Sequence, residues 1–362
     1  MSFGPEPVLS GGLEEVRVRR GRRSGLPIAI AIDHLVDGHA LGGCRCKPYP
    51  SVDEAVRDVQ RLAHAMTFKA GAAGLRMGGG KGVIAAPAGE PLAGELRQGA
   101  LRDFAELIES FGGAYITGQD VGTSVADIAF MGRFTEHVAG HPVGDGGCGD
   151  PSPFTAHGVE VAIRASLPGG SVRGKHVVVV GLGHVGGALA GRLLAGGARL
   201  TVSDVTDGAR ELADRLGAGW VEPDAALDVE ADLLAPCALG GMIDHQAIAR
   251  LRVAVVAGAA NNQLSDDSVA DKLAARGILY APDFIANAGG LIAVESEWRL
   301  KGYDPDQVER GVEGIGDTLA EVYTRARSDG TSTLTAAAAL SAQRSAAATG
   351  APPGPADHRV AA

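Results

Sequence analysis

Three absences narrow the class to which this 362-residue chain can belong. Its four cysteines are too few and too scattered for a disulfide scaffold, and Cys44 and Cys46 lack the second pair that a structural zinc site needs. No stretch approaches the roughly 18 consecutive apolar residues of a membrane span. Basic residues do not predominate either, with 33 Lys and Arg against 43 Asp and Glu, which argues against a general nucleic-acid binder.

Two further absences concern targeting and metal binding. The N-terminal sequence MSFGPEPVLSGGLEE has neither the basic nor the apolar region of a secretory signal, so we expect a cytoplasmic protein with reduced thiols and no membrane partner. The histidines are spread along the chain and form no H-x-x-x-H or H-E-x-x-H pattern. No metal site is therefore predicted.

Glycine, in contrast, is abundant. It accounts for 54 of the 362 residues, about twice the usual share of roughly 7%. The glycines show no period of three, which excludes a collagen-like repeat and indicates turns and close backbone approaches. The length suggests two domains, at roughly 150 residues per domain.

The first part of the chain predicts a mixture of strands and helices. Alternating apolar residues at 13–18 and 27–33, separated by arginines, predict a β-hairpin whose basic turn either is solvated or binds phosphate. Ser51 and Glu54 form a capping box ahead of an amphipathic helix. A glycine-dense loop at 78–82 is then expected before an apolar strand.

The second part has a different pattern. Residues 140–153 are rich in Gly, Asp and Pro and predict a linker. Strand-like runs then alternate with amphipathic helical stretches, which predicts a parallel sheet covered by helices. The strands are expected at 176–180, 199–203, 232–235, 253–257 and 278–280. The chain ends in an Ala-rich helix and a segment, 349–362, whose composition predicts disorder.

A glycine-rich motif, GLGHVG, follows the first of these strands. It lies between the buried run at 176–180 and an apolar helix, which is the context of a dinucleotide-binding site. The first glycine would make the tight turn, the second would admit the pyrophosphate at the helix N-terminus, and the third would let the helix pack closely. The predicted cofactor contacts in the motif are Gly181, Gly183, His184, Val185 and Gly186.

Asp204 ends the next strand, at the place where such domains choose between cofactors. A carboxylate there accepts hydrogen bonds from the adenosine ribose and repels a 2′-phosphate, so NAD is predicted rather than NADP. The alternatives are a flavin site and a Rossmann-like domain without a cofactor.

Several motifs occur in the order found in amino-acid dehydrogenases. They are Met66–Lys69 (MTFK), Met77–Lys81 (MGGGK), Thr117–Asp120 (TGQD), Ala281–Gly290 (APDFIANAGG) and the glycine motif above. From about residue 12 to 330 the chain resembles the glutamate/leucine/phenylalanine/valine dehydrogenase family, and it is most similar to the phenylalanine and leucine branch. Separate motifs in a fixed order are far more specific than any one of them alone.

The resemblance implies a two-domain α/β fold. An N-terminal α/β domain, residues 1–147, would bind the substrate and form the subunit contact of a homo-oligomer. A Rossmann domain, residues 148–317, would bind NAD, with a cleft between the two domains. The C-terminal helices, at about 318–348, would return to the first domain.

The resemblance also implies roles for polar residues. Lys81 matches the lysine that acts as acid and base on the attacking water, and Asp120 matches the carboxylate that takes up and returns the amine proton. The substrate carboxylate would be held by Lys69, Asn287, Gly42 and Gly43. Taken alone, a lysine could be a surface charge, Asp120 a turn residue and Asn287 a helix cap.

Further positions of the family concern the cofactor cleft. Thr155 is implied beside the nicotinamide or its ribose. The ends of the later strands would line the same cleft through Ala235, Ala259 and Asn261.

The substrate side chain would be recognised by a small set of residues. They are Leu41, Gly118, Leu291 and Val294. Leu41 stands where glutamate enzymes carry a lysine, so an apolar substrate is predicted. Gly118 with Leu291 is similar to the phenylalanine enzymes, because a missing methyl group leaves room for a ring.

The predicted function is NAD-dependent, reversible oxidative deamination of an apolar L-amino acid to its 2-oxo acid and ammonia. L-Phenylalanine is the first substrate expected, and the branched-chain amino acids leucine and valine are the alternative. Two other classes stay open: an NAD-binding sensor without catalysis and a 2-hydroxy-acid dehydrogenase. The sensor requires a broken active site, and the lysine pair with Asp120 argues against the 2-hydroxy-acid enzyme.

Overall fold

The structure is a computed structural model that describes residues 13–89 and 91–349. The segment predicted to be disordered, residues 349–362, lies outside these ranges except for its first position. Within the described ranges no helix has both the length and the apolar composition needed to cross a lipid bilayer.

The described chain divides into two compact units. Unit 1 contains the residues up to 71, residues 75–149 and the residues from 345, and unit 2 contains residues 72–74 and 150–344. The C-terminal helices differ from the expectation that 318–348 return to the first domain, because residues 318–344 cluster with unit 2. The physical reason is that the helix Pro305–Asp329 buries its apolar side against other helices of unit 2.

Unit 1 is built on a mixed sheet. Its described strands are β1 (Glu15–Arg20), β2 (Pro27–Ile32), β3 (Ala40–Leu41), β4 (Cys44–Pro48), β5 (Gly78–Ala86) and β6 (Tyr115–Ile116), and its helices are α1 (Val52–Ala72), α2 (Gly94–Glu109) and α3 (Val125–Met131). The order across the sheet is β1-β2-β5-β3-β6, and β4 also pairs with β5. The predicted hairpin is confirmed, since β1 and β2 pair antiparallel, whereas β3 and β4 run parallel to β5.

The basic turn of the hairpin is anchored to α2. The buried carboxylate of Asp103 accepts hydrogen bonds from the backbone N–H groups of Arg23 and Ser24 and from the Arg23 guanidinium. Part of the positive charge between β1 and β2 is therefore neutralised within unit 1.

The segment 78–82 is a strand, not the loop expected from its glycines. It forms the first part of β5, which is buried and paired with β2 on one side. A Cβ at Gly79 would overlap Thr67 of α1, and a Cβ at Gly82 would overlap the ring of Phe104 of α2. The glycines therefore allow helices to approach both faces of the strand, and no turn is needed to explain them.

Unit 2 is a parallel sheet covered by helices, as predicted. Its described strands are β7 (His176–Val180), β8 (Arg199–Ser203), β9 (Gly219–Trp220), β10 (Leu233–Pro236), β11 (Val255–Val256) and β12 (Leu279–Tyr280). The helices are α4 (Ser152–Ser166), α5 (His184–Ala195), α6 (Asp207–Leu216), α7 (Ala247–Arg250), α8 (Ser268–Ala275), α9 (Asp283–Ala286), α10 (Gly289–Leu300), α11 (Pro305–Asp329) and α12 (Thr333–Thr349), the last continuing into residues of unit 1. The strand order across the sheet is β9-β8-β7-β10-β11-β12. From β7 the chain first adds strands on one side, β8 and β9, and then adds β10 to β12 on the other side, so the order reverses between β7 and β10. Doubly wound sheets bind ligands at such a switch point.

We predict that Gly79→Ala destabilises unit 1, because the added methyl group would overlap the backbone nitrogen and the hydroxyl group of Thr67. The free energy of unfolding should fall by about 1–3 kcal/mol, the usual cost of overpacking. Chemical denaturation at a fixed protein concentration measures this change. Gly144→Ala is the matched control, since a Cβ at Gly144 meets no atom within 4 Å. Equal stability of the two variants would contradict the packing argument.

Candidate functional site

The alternation of side chains along β5 defines the face on which Lys81 lies. A Cβ at Gly80 or Gly82 would meet aromatic rings on one side of the sheet, whereas a Cβ at Gly79 would meet α1 on the other. Since successive strand residues point to opposite faces, Lys81 shares the face of Gly79. This face has an apolar lining of Ala55, Val59, Ala63, Val83 and Ala85. Lys81 is therefore held in apolar surroundings, with 6% of its side chain exposed.

A break between β3 and β4 lies beside Lys81. Both strands run along the same edge of β5, and Gly42 and Gly43 interrupt them. The N–H of Gly82 donates to the carbonyl of Gly43 at 3.2 Å, and a Cβ at Gly42 would overlap the carbonyl oxygen of Gly80. The two glycines predicted beside the substrate carboxylate are thus neighbours of Lys81 in the same sheet.

Other predicted residues of unit 1 lie near this break or on the helix above it. Leu41 is buried and pairs in register with Gly79, and the carbonyl of Gly118 accepts a hydrogen bond from the N–H of Cys44 at 2.9 Å. Lys69 stands in the last turn of α1 and is half-buried. The structure therefore places these three positions on elements that pack together around β5.

Asp120 contacts two cations, Lys81 and Arg45. Its Oδ1 lies 3.2 Å from the Nζ of Lys81, and its Oδ2 accepts a hydrogen bond from the Nε of Arg45 at 2.8 Å. Burial by itself raises the pKa of Asp120, but the charges of Lys81 and Arg45 outweigh this effect and hold the pKa below its usual range. Asp120 is therefore a carboxylate at neutral pH and is available to take a proton.

Arg45 is a residue that sequence reasoning missed. It stands between two cysteines in the sequence, lies on β4 and is in register with Val83 of β5. The register places Arg45 on the same face of the sheet as Lys81. The period-two pattern of β4 could have revealed this face, but only once β4 was known to pair with β5.

The glycine motif of unit 2 has the geometry that its sequence predicts. Gly181 follows β7 with a φ of +99°, and α5 begins at His184. A Cβ at Gly186 would overlap the carbonyl oxygen of Gly181, which explains the requirement for glycine in the helix. A Cβ at Gly183 would meet no atom within 4 Å, so the backbone there faces open space. These features suit a pyrophosphate at the N-terminus of α5, next to His184 and Val185.

Asp204 is attached to the same turn. Its Oδ2 accepts a hydrogen bond from the N–H of Leu182 at 2.7 Å, and its Oδ1 accepts bonds from the N–H and hydroxyl groups of Thr206 at 3.0 Å each. Burial raises the pKa of Asp204, but these donors outweigh it and the pKa is lowered. A fixed negative charge therefore stands beside the predicted pyrophosphate turn, as recognition of a ribose requires.

Asn287 is fixed by hydrogen bonds and leaves one atom available. The residue is 2% exposed, and its Nδ2 donates to the carbonyl of Ala259 at 3.1 Å and to the Oδ1 of Asn261 at 2.8 Å. Its Oδ1 has no hydrogen-bond partner among the described residues. Although Asn287 follows α9, its side chain binds another segment rather than capping the helix. It offers a buried acceptor to a ligand.

The remaining predicted residues of unit 2 lie on α4, α10 and β10. Thr155 is in the first turn of α4, and a Cβ at Gly290 would come within 2.6 Å of its hydroxyl oxygen. On α10, Leu291 is half-buried and Val294 is buried. Ala235 is buried at the end of β10.

The cysteines do not form a reactive or metal-binding group within the described ranges. None of the four cysteines forms a disulfide there, and no cluster of three or more His, Cys, Asp or Glu residues suitable for a metal is found in the same ranges. Burial raises the pKa of Cys44 well above its usual value and raises the pKa of Cys237 to about 12. Both thiols therefore stay protonated at neutral pH.

The strand order of unit 2 and its glycine turn define a Rossmann-type dinucleotide-binding unit. Comparison with known families finds matches in both units, to two domains of one family of dehydrogenases. Residues 17–137 match the Glu/Leu/Phe/Val dehydrogenase dimerisation domain, and residues 210–351 match the glutamate/leucine/phenylalanine/valine dehydrogenase family.

Individual relatives cover nearly the whole chain. Leucine dehydrogenase from Thermoactinomyces intermedius is 40% identical over 339 residues, covering 91% of this chain and 90% of the relative. Valine dehydrogenase from Streptomyces virginiae is 40% identical over 345 residues, covering 92% and 94%. The crystal structure of L-tryptophan dehydrogenase from Nostoc punctiforme matches with a TM-score of 0.80 and 34% identity, covering 94% of this chain and 98% of that one. The chain belongs to the glutamate/leucine/phenylalanine/valine dehydrogenase family. It is an amino-acid dehydrogenase, and NAD is consistent with this family.

We predict that Asp204→Ala weakens NADH binding and reduces discrimination against NADPH. Loss of a charged acceptor costs about 1.5–3 kcal/mol, which corresponds to roughly a 10- to 100-fold higher Kd for NADH. Fluorescence titration with each reduced cofactor measures both constants. Asp204→Asn, which keeps an acceptor for the N–H of Leu182, separates loss of charge from loss of the turn. An unchanged ratio of the two constants in both variants would contradict the role of Asp204.

Proposed function

We propose that this chain catalyses the NAD-dependent, reversible oxidative deamination of an apolar L-amino acid. The products are the 2-oxo acid, ammonia, NADH and a proton, and one water is consumed. The observation that carries this proposal is the contact between the buried Lys81 and the half-buried Asp120 in a member of the amino-acid dehydrogenase family. A proton acceptor and a second acid–base group are what deamination requires beyond the cofactor.

Lys81 and Asp120 divide the proton transfers. Asp120, as a carboxylate, takes a proton from the substrate ammonium group and returns it to the departing ammonia. Lys81 acts as acid and base on the water that adds to the imine carbon. Their 3.2 Å separation lets each group stabilise the charge that the other develops. NAD, when bound, accepts the hydride from the substrate Cα.

The substrate carboxylate is assigned to Lys69 together with the backbone at Gly42 and Gly43. The sequence also predicts Asn287 as a carboxylate ligand, but the atom that Asn287 leaves available is an oxygen. An oxygen accepts hydrogen bonds and therefore suits an ammonium, hydroxyl or amide donor. Binding a carboxylate through Asn287 would require the amide to turn over and to lose its bond to Ala259.

The cofactor is assigned to unit 2. The turn at Gly181, the open backbone at Gly183 and the carboxylate of Asp204 fit a pyrophosphate and a ribose. The other residues proposed to contact NAD are His184, Val185, Gly186, Thr155, Ala235, Ala259 and Asn261.

Leucine and valine replace phenylalanine as the first substrates proposed. The relatives at about 40% identity are named leucine and valine dehydrogenases, which favours a branched aliphatic side chain. The similar tryptophan dehydrogenase shows that the same fold also serves an aromatic substrate. Leu41, Gly118, Leu291 and Val294 are the residues proposed to contact the side chain. The absence of a cation at Leu41 supports an apolar substrate.

A homo-oligomer formed through unit 1 and a cytoplasmic location complete the proposal. The subunit contact rests on the match of residues 17–137 to a dimerisation domain.

We expect Lys81→Ala to lower kcat by roughly 10²- to 10⁴-fold, the usual contribution of a general acid–base group. NADH affinity, measured by fluorescence, should change little because the glycine motif belongs to the other unit. Lys175→Ala is the control, since Lys175 pairs with Asp232 at the opposite end of β7. An unaltered kcat in Lys81→Ala would refute its assignment. Tight NADH binding by an unaltered protein that oxidises no amino acid would favour a sensor.

Substrate choice is tested by NADH formation with L-leucine, L-valine, L-phenylalanine and L-glutamate in parallel. We expect kcat/KM to be highest for L-leucine or L-valine and lowest for L-glutamate. In Gly118→Ala, the added methyl group should lower kcat/KM for L-phenylalanine relative to L-leucine by roughly 10-fold or more. A preference of the unaltered protein for L-phenylalanine would restore the argument from Gly118 and Leu291, and activity on L-glutamate would contradict the role of Leu41.

A further inference from the structure

Arg45 joins the proposed proton acceptor to a second carboxylate. Its Nε donates to Asp120 Oδ2 at 2.8 Å, and its Nη1 lies 3.3 Å from Asp58 Oδ2. The side chain is 16% exposed, so both contacts are made largely away from water. One guanidinium therefore bridges β4, α1 and the segment after β6.

Asp58 holds the far end of Arg45 in place. Its Oδ1 accepts a hydrogen bond from Arg61 at 2.7 Å, and its Oδ2 accepts one from the hydroxyl of Tyr49 at 2.8 Å. The Nζ of Lys47 also lies near this Oδ2, at 3.7 Å. Because Asp58 is fixed by several donors, the guanidinium of Arg45 has one preferred direction.

The backbone at Asp120 is fixed without Arg45. The N–H of Asp120 donates to the hydroxyl of Thr123 at 2.9 Å, and that hydroxyl donates to the carbonyl of Cys44 at 2.8 Å. The backbone at Asp120 therefore stays connected to β4 through Thr123 if Arg45 is removed. What Arg45 adds is control of the rotation of the Asp120 carboxylate.

We propose that Arg45 is a positioning residue for Asp120. By occupying Oδ2, it directs Oδ1 toward Lys81 and toward the amine of the substrate. This inference rests on the proposed function, in which Asp120 moves the amine proton. It adds a residue that acts on catalysis through Asp120 and does not itself touch the substrate.

Removing Arg45 has a predictable effect on the pKa of Asp120. The charged and titratable groups around Asp120 include Lys81 from β5, Arg45 and Cys44 from β4, Tyr115 from β6 and, beyond Arg45, Asp58 and Tyr49. Of these, Lys81 and Arg45 lower the pKa of Asp120. Loss of Arg45 therefore raises this pKa. Since the carboxylate is the reactive form, the acidic limb of activity moves to higher pH.

The test compares Arg45→Gln, Arg45→Lys and Arg61→Gln in kcat and kcat/KM between pH 3 and 10, so that the range reaches the acidic pH at which Asp120 gains a proton. Arg61→Gln is the matched control, because it removes a cation that donates to Asp58 at the far end of Arg45. In Arg45→Gln we expect kcat to fall by roughly 10- to 100-fold and the acidic limb of kcat/KM to rise by about one pH unit. Arg45→Lys should restore the limb by its charge but should not restore kcat, because lysine lacks the planar fork.

Other results would overturn the inference. If Arg45→Gln has the same kcat and the same acidic limb of kcat/KM as the unaltered protein, Arg45 does not act on Asp120. Equal losses in Arg45→Gln and Arg61→Gln, with equal drops in Tm, would indicate a structural role only. Full recovery of kcat in Arg45→Lys would show that charge alone matters.

A second readout separates failure of this inference from failure of the proposed function. If the unaltered protein deaminates no amino acid, the proposed function fails. The Arg45–Asp120 contact is then judged by a ¹³C NMR titration of aspartate carboxyl groups, with Asp120 assigned by its absence in Asp120→Asn. A higher pKa of Asp120 in Arg45→Gln but not in Arg61→Gln supports the contact, and an unchanged pKa refutes it.

Discussion

Close approach of backbone around β5 is the constraint on which the site of unit 1 depends. Gly79 lets α1 lie against the strand, and Gly42 lets the broken neighbouring strand approach Gly80. A larger residue at either position would overlap these neighbouring elements. The high glycine content thus has a structural purpose in this unit, because it creates a dense, apolar environment around a lysine.

That environment makes the charges depend on one another. Lys81, Asp120, Arg45 and Asp58 form a chain of alternating charge, and each is partly or largely removed from water. Desolvation of a single charge is costly unless a partner offsets it. In this chain each charge has a partner of opposite sign, so Asp120 stays ionised although it is partly removed from water. The arrangement therefore keeps the proposed proton acceptor in its reactive form.

Unit 2 uses the same combination of glycine and a fixed carboxylate for a different purpose. The turn at Gly181 brings β7 close to α5, and Asp204 is bound to this turn through the N–H of Leu182. Here the outward-facing backbone is left open, as at Gly183, where a dinucleotide needs access. In unit 1 the charged side chains form ion pairs with one another. In unit 2 the backbone at Gly183 is left open for a ligand.

The sequence by itself determined the family, the hairpin, the parallel βα units and the glycine turn. Each of these depends on local periodicity or on motifs of a few residues, which neighbouring positions encode directly. Tertiary structure alone decided that 78–82 is a strand, that the helices at 318–344 belong with unit 2, and that Arg45 binds Asp120. These features depend on the register between strands and on contacts between distant segments, such as Arg45 and Asp120, 75 residues apart. No local pattern specifies such contacts, because they arise only when the packed sheet brings the segments together.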